Sequence, residues 1–495
     1  MTETNLNWLS EISSWRLEAS EEDTSRYFYI RDEISSLQSG QVSYVIGRKG
    51  TGKTAVAEHI RGMNNHNVFV VSLSFASFPF NELYRLSDDG FTSPSQYTTI
   101  WKYLIYSAIC SKMSTNQRID PAISSSLGKH FALDFDKALA SSISRLTDIS
   151  TGFKIVGTGL DVGKKTSIVQ NDTPWPERVE ILEKIINEFL DSSTYYVIFD
   201  ELDEDYNFIL ETRRSNEYFD LLTGLFKAVA DVKRRTHKRL NIRPIVFLRD
   251  DIYELLRAND KNKWNDSSWK LEWRDGELRE LVTFRLEKAR DPDSSDFSFA
   301  KIIKDLFINE ERYTKHTYTR KQHVFEYITA RTLRRPRDFI SWLREAAKLT
   351  VEFGTDKLAS GNFGKITWRY SHRLREEFVD EIQGSVPYID DVFSVFSHLR
   401  TNIFKFEDMR SKYESFVKSR READLLPFDT LAHLLFHYGA IGNLPRENWE
   451  IFRYRTSHAR LNLAELGIVH PGLVASLQLG KLSSERIRRL LASRR

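Results

Sequence analysis

The chain has a single cysteine, Cys110, among 495 residues, which excludes an intrachain disulfide framework. No Cys/His group has the spacing of a zinc site, so neither structural zinc nor thiol redox chemistry is expected, and the composition fits a reducing cytoplasmic compartment. Residues 1–20 lack a basic stretch followed by an apolar one, and no run of about 18 apolar residues occurs, so neither secretion nor a membrane span is expected. Charge of one sign is not in excess: 72 Lys and Arg stand against 69 Asp and Glu, a formal net charge of +3. Affinity for nucleic acid would have to come from local basic patches. A Ser/His/Asp pattern, a nuclease-like carboxylate cluster and a deaminase pattern are missing too. What remains is a globular composition, 41% hydrophobic, long enough for about two to four domains.

Against these absences one motif stands out. Gly47-Arg48-Lys49-Gly50-Thr51-Gly52-Lys53-Thr54 is a complete G-x-x-x-x-G-K-[ST] loop. The apolar run Val42 to Ile46 supplies a strand before it, and Ala55 to Ile60 continues as a helix. Glycines let the backbone curl so that successive N–H groups face phosphate oxygens; Lys53 neutralises the outer phosphates and the Thr54 hydroxyl is a Mg²⁺ ligand. With strand, loop and helix in order, residues 47–55 (through Ala55) are expected to hold a nucleoside triphosphate.

Val68 to Leu73 is a near-continuous apolar run, as expected for a parallel strand buried on both faces. The next such run, Tyr195 to Phe199, follows an insertion spanning about 74–194, with helices expected at Trp101–Lys112 and Val179–Leu190. It runs into Asp200-Glu201, a Walker B pattern. Asp200 is placed to hold Mg²⁺ through water and Glu201 to polarise the attacking water. A further strand, Ile245 to Leu248, ends at Arg249, which either senses a γ-phosphate or pairs with Asp250 or Asp251. Tyr27 to Ile30, upstream of the loop, is either an adenine cover or core.

Trp269 to Trp273 reads as a short fifth strand. Beyond Asp291 to Ser295 the pattern is helical, with Arg334-Arg335-Pro336-Arg337-Asp338 at the entry of a helix. An arginine in a helix's first turn opposes the dipole unless an anion offsets it, which makes Arg337 a candidate phosphate contact. From about residue 370 three short helices (392–399, 406–417 and 431–438) and two candidate strands (450–455 and 461–469) follow, the pattern of a winged helix. Basic runs lie at 233–239 and at Arg486, Arg488, Arg489, Arg494 and Arg495; each is either a phosphate grip or a solvated surface.

Taken together, GRKGTGKT, YYVIFDE, IVFLR, RRPRDFISWLREA and the C-terminal pattern resemble AAA+ ATPases, especially the initiator-like and STAND branches and bacterial stand-alone ATPases encoded beside anti-phage defence genes. The resemblance implies an α/β fold: a P-loop AAA+-type parallel-sheet core at 1–290, a helical lid at 291–364 and a C-terminal winged helix at 365–495. It implies ATP and Mg²⁺ as cofactors, Arg249 and Arg337 as the two nucleotide sensors, with Arg335 as the alternative to Arg337, and a homo-oligomer with Arg213 or Arg214 acting in trans. In that family a histidine after the winged-helix hairpin contacts ADP; His470 takes that position, with Pro471 where an Asp usually follows.

Three functions remain. One is an ATP-hydrolysing switch for defence or signalling that controls assembly with a partner effector. The second is an initiator-like or clamp-loader-like ATPase that binds duplex DNA. The third, a nucleotide-binding scaffold without turnover, fits poorly with the presence of Lys53, Thr54, Asp200 and Glu201.

Overall fold

The computed structural model describes residues 3–75, 80–84, 95–147, 153–156, 166–169, 174–203, 215–236, 240–256, 261–295, 298–308, 311–313, 321–419, 425–447, 449–456 and 458–492. They divide into two compact units, Ile30–Glu272 and Met1–Tyr29 together with Trp273–Arg495.

The first unit is built on five parallel strands: β1 (Tyr44–Ile46), β2 (Val68–Ser74), β3 (Thr194–Asp200), β4 (Ile242–Leu248) and β5 (Ser268–Lys270). Their order across the sheet is β2-β3-β4-β1-β5. The central strands are apolar along their length because a parallel sheet is covered on both faces; Val197, Ile198, Phe199, Ile245 and Val246 are fully buried. Helix α1 (Lys53–Arg61) follows the first strand. The fold is thus mixed α/β with a five-stranded parallel sheet, as the run of apolar segments predicts. The fifth strand is shorter than expected and sits two residues or so early, at Ser268–Lys270.

The expected insertion is integral to this unit. Helix α2 (Ser95–Met113) is apolar nearly all round and buries Trp101, Tyr103 and Tyr106, as a helix enclosed by its neighbours must. It packs against α3 (Trp175–Phe189) and α4 (Ser215–Thr236), and the Lys102 ammonium pairs with Asp231 at 2.6 Å. The Asp136 carboxylate accepts from the Ser72 N–H at 2.8 Å, capping part of the open edge of β2. Of the glycine- and lysine-containing stretch at 152–165, residues 153–156 pair antiparallel with 166–169; 152 and 157–165 lie outside the described residues.

The second unit is largely helical. Helices α5 (Asp275–Arg290), α6 (Pro336–Glu352) and α7 (Phe363–Ile382) pack with the N-terminal helix Glu3–Ser14, which buries Trp8, Leu9 and Ile12. The Trp8 indole donates to the Leu286 carbonyl at 2.9 Å. The boundary expected at 290 therefore differs from this division. Leu278 and Leu286 of α5 join the helical core, and an apolar helix stripe does not say which core it covers. Tyr27 is likewise core, edge-on to Trp15 at 6.0 Å and under the Arg285 guanidinium.

The chain continues through α8 (Ile389–Ser397), β6 (Ile403–Lys405), α9 (Phe406–Ser419), α10 (Phe428–Tyr438), β7 (Ile441–Arg446), β8 (Trp449–Ile451) and β9 (Leu466–Val469), and closes in α11 (Ser484–Ala492). The four strands form an antiparallel sheet ordered β6-β9-β7-β8. The strands β6 and β7 carry no alternating pattern long enough to read in sequence. Gly442 of β7 is needed for packing: a Cβ there would stand 2.5 Å from the Ile451 carbonyl oxygen.

Helices α2 and α4 cross closely at Gly224, where a Cβ would lie 2.7 Å from the Tyr97 Cβ. Gly224→Val is expected to destabilise the protein by about 2 kcal/mol or more despite its better helix propensity. Denaturant unfolding measures this, and an unchanged midpoint would remove the close crossing as the reason for glycine.

Candidate nucleotide site

The strand order brings the C-terminal ends of β1, β4 and β3 side by side, and each ends in a polar turn. After Ile46 the chain leaves β1 at Gly47, whose N–H donates to the Leu248 carbonyl of β4 at 3.1 Å. Gly47 has no room for a side chain, since a Cβ would stand 2.7 Å from the Thr51 Oγ1. Gly50 and Gly52 adopt φ of 81° and 102°, left-handed values that favour glycine, and Gly52 caps the N-terminus of α1. The loop is thereby curled with Lys53 at the helix entry. Its ammonium donates to the Gly47 and Arg48 carbonyls at 3.0 and 3.2 Å. Burial pushes the Lys53 ammonium below its ordinary range, while the Asp203 and Asp200 charges pull it back up.

Asp200, the last residue of β3, is 5% exposed. Burial raises its carboxyl to about 6. Glu201 follows with φ 60°, a backbone that costs a non-glycine residue about 1–2 kcal/mol and is therefore worth explaining. Its carboxylate accepts a short hydrogen bond from the Ser74 hydroxyl. Ser74 ends β2 directly beside Asp200 in the parallel register. Sequence reasoning stopped that strand at Leu73 and missed Ser74; the signal was a polar residue closing an apolar run.

Arg249 caps the end of β4 and is 7% exposed. It forms a two-pronged pair with Asp251, Nε to Oδ1 at 3.0 Å and the terminal nitrogen to Oδ2 at 2.6 Å, and lies 3.7 Å from the Asp203 carboxylate. The ion-pair alternative for this arginine is thus present in the structure. Asp203 was not singled out in sequence, because it was one of several acids in a row.

Arg337 and His470 belong to the other compact unit. Arg337, in the first turn of α6, pairs with Glu18 at 2.6 Å. Arg335 is buried in ion pairs with Asp338, Glu377 and Glu381 at 2.9, 3.0 and 3.1 Å. His470 is fully buried, its Nε2 3.0 Å from the Tyr454 hydroxyl and its Nδ1 accepting the Gly472 N–H at 3.0 Å. Arg213 and Arg214 lie outside the described residues.

The first unit's residues fit a Mg²⁺–triphosphate. The glycine turns leave open space at Gly52, where a Cβ would meet nothing within 4 Å. A buried carboxylate with a raised pKa gains from a nearby cation. Among the described residues no group of three or more His, Cys, Asp or Glu could hold a metal. Thr54 and Asp200 would therefore share the ion with phosphate and water, the mode Mg²⁺ commonly uses.

Residues 276–379 match the family described as the FunZ-associated C-terminal helical domain. The chain is 22% identical to the "Putative transposon gamma-delta 80.3 kDa protein" of Escherichia coli (strain K12) over 477 residues. That alignment covers 90% of this chain and 63% of the relative's length. Among solved structures, Drosophila ORC bound to DNA matches at 14% identity and TM-score 0.28, covering 97% of this chain and 93% of the other. Cdc6p from Pyrobaculum aerophilum matches at 12% identity and TM-score 0.27, covering 98% of each chain. TM-scores this low carry no argument about function. Among the described residues no helix is long and apolar enough to cross a membrane.

The raised Asp200 carboxyl has a signed consequence. Its folded pKa, about 6, exceeds the 3.8 of a free aspartate side chain, so the native state holds the extra proton between them and loses stability as pH rises through that window. Asp200→Asn is expected to match the ligand-free wild type near pH 4 and to exceed it above pH 7 by up to about 3 kcal/mol. Urea unfolding at the two pH values checks this; a variant less stable at high pH would contradict the burial account.

Proposed function

We propose that this chain binds ATP with Mg²⁺ and hydrolyses it, as an AAA+-type ATPase. The observation that carries the reading is the convergence at one sheet edge of the glycine loop, Lys53, buried Asp200 and a Glu201 held by Ser74. In this reading the loop from Gly47 to Ala55 cradles the phosphates through N–H groups beyond that of Gly47, which is given to the Leu248 carbonyl, and Lys53 leaves the loop carbonyls to neutralise them. Thr54 and Asp200 hold the Mg²⁺, which when bound offsets charge on the transferred phosphoryl group. Glu201 orients and polarises water, and the Ser74 hydroxyl keeps its carboxylate aimed.

Arg249 is a candidate γ-phosphate sensor that must exchange Asp251 for the nucleotide, and Arg337 would likewise have to release Glu18. For His470 the two engaged ring nitrogens support a packing role over contact with ADP. Self-association with an arginine in trans belongs to the same proposal. The defence role and the partner effector draw no support from the fold or the relatives.

A second reading, duplex DNA binding, has an observation in its favour. The succession helix, strand, helix, helix, strand, strand, strand from α8 to β9 resembles the connectivity of a winged helix. The curated relative is also named for a transposon.

Glu201→Gln is expected to retain ATP binding and lower turnover at least about 100-fold. Ser74→Ala should lower kcat about tenfold with little change in KM. Steady-state hydrolysis and equilibrium binding of a labelled ATP analogue measure both. Wild-type turnover in Glu201→Gln would remove this residue from the chemistry.

A further inference from the structure

We propose that the cleft between α11 and the α8–β6–α9 corner seats the phosphate backbone of duplex DNA. The inference rests on the DNA-binding reading and says where contact is made.

Helix α11 lays Ile487, Leu490 and Leu491 against the sheet residues Ile403, Leu444, Phe452, Leu466 and Ile468. Its remaining face carries Arg486, Arg488 and Arg489. Between this helix and the corner lies an open cleft of about 1190 Å³, lined by Arg400, Lys405, Lys412, Arg486 and Arg489 with one acid, Asp408. Arg489 pairs with Glu485 on its own helix. The side chains of Arg400, Lys405, Lys412 and Arg486 show no hydrogen bond or ion pair among the described residues. Unpaired cations brought together around one concavity raise the local potential and favour a polyanion.

Arg400 adds an independent sign. Its φ is 63°, in the left-handed region, and the strained turn is locked by Gly480, whose N–H donates to the Arg400 carbonyl at 2.9 Å. The Asn402 N–H returns a bond to the Gly480 carbonyl at 3.0 Å. A strained backbone that projects an exposed arginine into a cationic cleft is the kind of outlier that marks a binding position.

The helix ordinarily expected to read DNA in this connectivity is poorly suited. Helix α10 contains neither lysine nor arginine, and its exposed Asp429 is paired with Arg410 at 2.5 Å. In the segment joining β7 to β9, Arg455 is tied to Glu450 at 3.1 Å and Arg453 donates to the Ala459 carbonyl at 3.3 Å. Of the cleft's aromatic rings Phe404 is 4% exposed and His398 is the exposed one, so the lining offers no row of rings for successive bases, and charge contact with a duplex backbone is favoured over a single strand.

The test measures binding of a labelled random-sequence duplex to the full chain across a salt series. Wild type is compared with Arg400→Gln/Lys412→Gln/Arg486→Gln and with the α10 variant Thr430→Ala/His433→Ala. Near 50 mM salt the triple variant is expected to bind at least about tenfold more weakly, with a log–log salt slope about 3 lower in magnitude; the α10 variant should match wild type. Unchanged melting and unchanged ATP binding show that each variant is folded. Wild type that fails to bind duplex at low salt overturns the DNA reading itself. Binding that survives the triple substitution with its slope intact, or that is lost only in the α10 variant, overturns the cleft alone. Stronger competition by poly-glutamate than by unlabelled duplex would assign the cleft to an acidic protein segment and overturn it as well.

Discussion

A carboxylate and an ammonium, Asp200 and Lys53, are both withdrawn from water at one edge of a parallel sheet, and the rest of that unit is arranged around them. Neither charge is welcome in a dry interior, and the two shifts run in opposite directions: Asp200 is raised and Lys53 lowered by burial. Their partial compensation depends on strand order. Because β4 lies between β1 and β3, Asp200 ends a strand about 10 Å, two strand spacings, from the strand whose following loop carries Lys53. The intervening strand delivers Arg249 to the same edge. A buried, incompletely compensated charge set is weak evidence for stability and better evidence for a site awaiting a charged ligand.

The same edge explains the local strain. Glu201 turns into the left-handed region directly after the strand, and Ser74 from the neighbouring strand takes up its carboxylate. The register that sets Ser74 opposite Asp200 is fixed by the apolar runs of both strands, since slippage would turn buried residues outward. Packing of the insertion helix α2 therefore bears on the chemistry: it covers the β2–β3 region that holds this register.

In the helical unit a different ionic arrangement sets the local geometry. Arg335 is 2% exposed and bound to three carboxylates, and partial burial raises the Glu377 carboxyl above its ordinary range while the Arg335 charge pulls it back down. Losing one member of such a network leaves the others buried and unmatched. Arg337, two residues on, instead faces Glu18 across a more exposed contact. The sequence Arg334-Arg335-Pro336-Arg337 offers three arginines at one helix start, and the backbone of the helix entry distributes them: Arg334 at φ 56° and the extended N-cap Arg335 precede the helix, while Arg337 lies in its first turn.

Much of the parallel-sheet unit was legible because its signals are local. A glycine pattern needs specific backbone angles at specific positions, and a strand buried on both faces must be apolar throughout, so the loop, the acid pair and the strands could be read from adjacent residues. Arg249 could be placed at a strand end, but its pairing with Asp251 was one of two open choices that only side-chain packing decided. Ser74, Asp203, the short strands β6 and β7, and the allocation of α5 and the N-terminal helix to one core were not legible. Each depends on which distant segment lies alongside, and an apolar stripe or lone hydroxyl carries no address. By itself the sequence determined the chemistry available at the sheet edge. Tertiary structure decided which carboxylate is buried, which arginine is tied, and where the unpaired cations of the C-terminal cleft gather, because those outcomes follow from burial and distance between residues far apart in the chain.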